Sequence, residues 1–302
     1  MSGDAPLPCL DTISTCDAPG GRPAAYLAVA GERLVSVSAD GLLATWNGSA
    51  VERSLPGGDG PIDGLSAGDG LALLVRGRNK IMVRSLDDGA PRARWSTAHA
   101  ADVVVDCAVE GPDRVVAAIE EHWGHPTDRV ARLLEYRVSA PQQPPRVLAQ
   151  AQGVLPPWSL AAIYEPVHPG HERVRFDGGR RERLVLPPGQ LVSVDVPDGW
   201  LLLRAYDGTL TVRGPDGTCT TLRVGQLAYG PMRLTPDARH LLTWDPTGTV
   251  ALFDVATGAE CGRWERGRRE LDAVRAVVPC RGDFAVLEKE GGVRWLRGPR
   301  AG

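Results

Sequence analysis

Between Met232 and Trp264 the chain alternates short apolar runs with turn residues. Met232 to Leu234 leads into Pro236-Asp237, and His240 to Trp244 ends at Pro246-Thr247-Gly248. Thr249 to Asp254 then alternates apolar with small or polar side chains, Thr257-Gly258 turns, and Glu260 to Trp264 follows. Runs this short, separated by residues that favour tight turns, predict four antiparallel strands.

The same grammar recurs along the chain. The first turn reappears as Gly31-Glu32, Gly68-Asp69-Gly70, Gly111-Pro112-Asp113, Pro197-Asp198-Gly199 and Gly282-Asp283. The lead-in to the third strand reappears as Asp40-Gly41-Leu42, Asp207-Gly208-Thr209 and Gly291-Gly292-Val293. Gly41, Gly208, Gly248 and Gly291 stand at multiples of about forty residues, the period of four-stranded propeller blades, and no helical periodicity competes with it.

The Met232–Trp264 segment resembles a WD40 repeat: the first turn, the Gly-Thr-Val lead-in and the Phe253-Asp254 ending fall where that family places them, with Phe-Asp in place of Trp-Asp. The resemblance is to a divergent, bacterial-type member. It implies an all-β fold, a seven-bladed β-propeller of four-stranded antiparallel blades spanning 1–302 as a single domain. Blades are expected at about 23–58, 59–98, 99–149, 150–188, 189–225, 226–267 and 268–302. The last has no room for a fourth strand, so Leu7 to Ile13 is expected to complete it and close the ring. Blade four lacks the first turn signal and is expected to be short of a regular inner strand. In blade three, Pro141 to Pro145 should break the outer strand.

Composition adds exclusions. A net charge of −3 gives no field that would draw in nucleic acid or an anionic membrane. No apolar run reaches the roughly 18 residues of a membrane helix, and the start, Met-Ser-Gly-Asp-Ala-Pro, is acidic where a signal peptide is basic then apolar, so a cytosolic protein is expected. Six cysteines without a Cys-x-x-Cys pair read as reduced thiols. Nucleophile elbow, P-loop, dinucleotide fingerprint and His-Glu-x-x-His are all missing, the Gly57 to Gly70 stretch reads as turns, and no cofactor is expected.

The resemblance puts the second-to-third strand loops and the loops between blades on one face, the usual ligand face. On this placement His122-Trp123-Gly124-His125 and His168-Pro169-Gly170-His171 are neighbours there. Trp123 is the tryptophan set in a loop, whereas Trp46 and Trp295 fall in equivalent third strands and suit packing between blades. Arg180 and Arg181 could pair with acidic partners. His99 matches the histidine that braces a WD40 blade, and Asp40 and Asp207 suit turn braces.

Two functions follow as expectations. One is a non-catalytic scaffold or adaptor that holds other proteins in a cytosolic bacterial assembly, through His122, Trp123, His125, His168, His171, Arg180 and Arg181. The other is an enzyme or metal-dependent small-molecule binder with His122, His125, His168 and His171 as ligands or acid and base, since imidazole suits both roles.

Overall fold

The computed structural model describes residues 10–16, 22–56, 61–121, 130–152, 164–167, 172–177, 180–185, 190–192, 200–205, 207–245, 247–266 and 273–299, with 56, 149 and 151–192 described by backbone alone. Strand β1 is Thr12–Cys16. Seven sheets are described, in chain order. The first holds β2 to β5 (Ala24–Ala30, Arg33–Ser38, Leu42–Asn47, Ala50–Pro56), and the second β6 to β9 (Ile62–Gly68, Leu71–Arg76, Lys80–Ser85, Pro91–Ser96). The third holds β10 to β13 (Val103–Val109, Arg114–Glu121, Val130–Arg137, Arg146–Gln152), and the fourth β14 to β16 (Tyr164–Val167, Glu172–Asp177, Arg180–Val185). The fifth holds β17 to β20 (Gln190–Val192, Leu201–Arg204, Thr209–Arg213, Cys219–Arg223) and the sixth β21 to β24 (Met232–Leu234, His240–Trp244, Thr249–Asp254, Glu260–Glu265). The seventh combines β25 to β27 (Val274–Cys280, Asp283–Glu288, Val293–Leu296) with β1 at its edge. Every pairing is antiparallel between sequence neighbours except β1 with β27.

Two compact units result, Asp17–Leu186 and Met1–Cys16 with Pro187–Gly302. In the first unit the second strand of each regular sheet is buried on both faces, which explains its unbroken apolar run. Leu71, Leu73 and Val75 of β7 pack with Val115, Ala117 and Ile119 of β11, while Ala72 and Leu74 pack with Val35 and Val37 of β3. Alternate residues thus serve opposite neighbours, as the period of two requires. In the second unit β22 does the same: Leu241 packs with Leu202 and Leu210, and Leu242 and Trp244 pack with Val277, Phe284 and Val286.

The lead-in to the third strand is one structure repeated. The N–H groups of Gly41, Gly208, Gly248 and Gly291 donate to the carbonyls of Ser38, Ala205, Asp245 and Glu288 at 3.0, 3.2, 3.3 and 2.9 Å. Asp207 accepts the Thr209 N–H at 2.9 Å, and Asp40 accepts the Ser38 hydroxyl and pairs with Arg22 at 2.7 Å. Trp46 is fully buried and its indole N–H donates to Ser36 Oγ at 2.9 Å.

Two expectations are corrected. The strand that completes the seventh sheet is Thr12–Cys16, not Leu7–Ile13: Thr12 pairs with Leu296 and Cys16 with Val293. Leu10 is instead an anchor, its N–H donating to the Arg263 carbonyl at 2.8 Å and its side chain buried with Trp244, Trp264 and Leu296. An apolar residue can be selected for such a socket as readily as for a strand; residues 7–9 lie outside the described residues. The fourth sheet has three strands among the described residues, β14 to β16, and the stretch ahead of them, 153–163, on which the expectation about its inner strand falls, lies outside the described residues. Pro141 to Pro145 does not break an outer strand. Those residues form turns closed by Ala140 N–H to the Arg137 carbonyl and Gln143 N–H to the Ala140 carbonyl, and β13 begins after them at Arg146.

The described cysteines, Cys16, Cys107, Cys219, Cys261 and Cys280, are free thiols. Among the described residues no helix is long and apolar enough to cross a membrane.

Candidate functional site

His122, Trp123 and His125 fall in 122–129, and His168 and His171 in 168–171, all outside the described residues. The strands that flank them are described. The first segment joins β11 to β12, a second-to-third link, and the second joins β14 to β15 within the sheet of three described strands. Arg180 and Arg181 open β16, facing Asp177 and Phe176 across the β15–β16 hairpin.

His99 is exposed, and its main chain makes the contacts that matter locally. Its N–H donates to Asp102 Oδ2 at 2.9 Å, and its carbonyl accepts from the Asp102 N–H at 3.2 Å and the Thr97 hydroxyl at 2.8 Å. An Asp three residues after the N–H it accepts closes a tight turn with its own side chain. That turn joins β9 to β10 and fixes Asp102, which is 2% exposed.

Asp102 lies in the wall of a cavity of about 320 Å³ between the second and third sheets of the first unit. Alternation along β11 and β12 supplies the rest: Ile119 and Glu121 share one strand face, as do Arg132, Leu134 and Tyr136. Tyr136 is buried, and its ring lies 4.9 Å from that of Trp95 at 45°. Burial, then the Asp102 carboxylate, pushes the Tyr136 phenol up to about 12. At the rim Glu121 pairs with Arg132 at 2.5 Å, and Arg132 Nε also donates to Gln150 Oε1 at 3.1 Å. Val147, 52% exposed, borders the opening.

The second Asp102 oxygen, Oδ1, is buried and has no hydrogen-bond partner among the described residues. A buried carboxylate oxygen without a donor is destabilising by about 1–3 kcal/mol or more, and an isolated buried charge is retained where something compensates it. By contrast Glu135, on the other face of β12, is held by Arg114 at 2.9 Å and Arg137 at 3.0 Å. Burial raises its carboxyl, and the two guanidinium groups, with Arg146, outweigh that and hold it below the usual range. Nothing in the sequence marks the cavity, because its walls come from four strands, a turn and a loop whose local patterns are ordinary.

No family model matches the chain, and no curated protein matches it. Solved structures do. The β-propeller domain of Cps50 (Swd1) from Myceliophteria thermophila superposes with a TM-score of 0.65 at 13% identity, covering 96% of this chain and 100% of that one. The computationally designed Ika8 protein superposes with a TM-score of 0.61 at 15% identity, covering 96% of this chain and 99% of that one. The fold is therefore a β-propeller, with successive sheets as its blades.

Proposed function

We propose that this chain is a non-catalytic interaction scaffold, a propeller that holds other proteins together in a cytosolic, bacterial multi-protein system. The observation that carries the reading is the propeller likeness over 96% of the chain. A repeated scaffold frees its loops and grooves to vary without loss of the core, which suits recognition. The Ala, Arg and Gly bias of the sequence fits a GC-rich genome. Fold alone does not specify function, so the reading also draws on the second-to-third blade cavity, whose acidic residue and apolar walls are suited to recognition. Trp123, His122, His125, His168, His171, Arg180 and Arg181 are proposed contacts, Trp123 foremost since buried tryptophans dominate interface energies.

The test is affinity purification of the intact chain from its native cell at physiological salt, followed by size-exclusion chromatography. A stoichiometric complex that Trp123→Ala or paired Arg180→Ala, Arg181→Ala weakens is expected. Elution of the chain alone overturns the reading.

A further inference from the structure

We propose that the cavity between the second and third sheets takes a basic side chain of a protein partner, the alkylguanidinium of arginine or alkylammonium of lysine, with Asp102 as its counter-charge. This rests on the scaffold reading above and gives it a partner chemistry.

Charge points that way first. Among the described residues the wall carries two carboxylates, Asp102 and Glu121, against one guanidinium, Arg132, which is already committed to Glu121 at 2.5 Å and to Gln150 at 3.1 Å. An anion would meet Asp102 with no free cation to offset it. Hydrogen bonding agrees. Among the described residues Asp102 Oδ1 is an acceptor without a donor, and a carboxylate is acceptor-only, so the complement is a donor that brings positive charge.

Shape narrows the class. About 320 Å³ is near the lower end of the roughly 300–1,000 Å³ of small-molecule pockets and gives ample room for an arginine or lysine side chain. Ile119, Leu134 and Val147 offer apolar surface along which an aliphatic stem can lie. The opening is solvent-facing, since Ser96, Ala98 and Val147 are exposed. A basic side chain is apolar along its stem and charged at its tip, and the cavity offers apolar walls together with the buried Asp102 carboxylate.

The probes are N-acetyl-arginine amide, N-acetyl-lysine amide and the neutral N-acetyl-norleucine amide, titrated into the intact protein by calorimetry at low salt. The basic probes should bind at least about tenfold more tightly than the neutral one, and the tighter of the two names the side chain. Asp102→Asn should remove that preference while keeping the shape of the residue. Should it fail to fold, Val147→Trp replaces it: Val147 is 52% exposed, and a larger side chain there fills the opening and should abolish probe binding.

Equal binding of the neutral probe, or basic-probe binding unchanged by Asp102→Asn or by Val147→Trp, overturns the inference. The two readings fail separately. A native complex that survives Val147→Trp intact leaves the scaffold standing and removes the cavity from it. Selective binding of the basic probes by a chain that elutes without any partner upholds the cavity chemistry and removes the scaffold.

Discussion

At Gly248 the backbone sits at φ +111°, and a Cβ built there would lie 2.9 Å from Arg266 Cβ and 3.5 Å from Ala273 Cβ. Both the conformation and the space exclude a side chain, so Gly248→Ala should destabilise the protein by about 1–3 kcal/mol, read from denaturant midpoints. Beside it, burial raises the Asp245 carboxyl, but hydrogen bonds from Thr247 and Thr249 outweigh that and hold it below 3.8. A depressed carboxylate adds stability above its unfolded value and loses it as pH falls through the folded one. The stability advantage of the native chain over Thr247→Val should therefore shrink as pH drops below about 4. Tyr136 has the opposite sign. Its phenol is raised to about 12, so its contribution is present below about 10 and lost as pH rises toward 12. Phenolate absorbance should show a tyrosine titrating late, and Asp102→Asn should move it down without restoring the ordinary value, because burial is the larger cause and remains.

At the scale of elements, the seat of Leu10 is the most exposed to test. A Cβ on Gly262 would lie 2.7 Å from Leu10 Cδ2, so the glycine leaves the space that the leucine fills. Leu10→Ala should cost about 2–5 kcal/mol, and deletion of residues 1–16 should lower the thermal transition and bare the edge of β27 to intermolecular pairing. An unchanged melting curve would show that β1 does not hold the seventh sheet. Leu10 also shows where sequence legibility ends. The turns at Gly41, Gly208, Gly248 and Gly291 could be read because each local conformation demands its own residue type. Whether Leu10 lies within a strand depends on Trp244, Trp264 and Leu296, far away in sequence, and no local pattern carries that. Strand β14 is hidden for a related reason, since Tyr-Glu-Pro-Val contains a proline and becomes a strand through its pairing with Glu172–Val174 and Arg175.

Across the whole molecule, 13% and 15% identity to two propellers shows how little sequence the fold prescribes. What persists is the alternation that lets a second strand such as β7 or β22 serve two neighbours, and many side chains satisfy it. Asp102 lies outside that requirement. The turn it closes could be closed by asparagine, which accepts the same hydrogen bond from His99, so the carboxylate is free to answer to a partner. That freedom is why the cavity could not be read from the repeat, and why its chemistry had to be found from geometry.

The pairing of Thr12 with Leu296 has a consequence for how the protein is made. A ribosome delivers β1 before every other described strand and its partner β27 after all of them, so the first strand and Leu10 must wait, unpaired, until the seventh sheet emerges. A message cut short before β27 yields a chain whose earlier sheets can form but whose leading strand has no seat. That waiting segment is a natural handle for a chaperone during translation and for a protease afterwards, and it is withdrawn when synthesis succeeds.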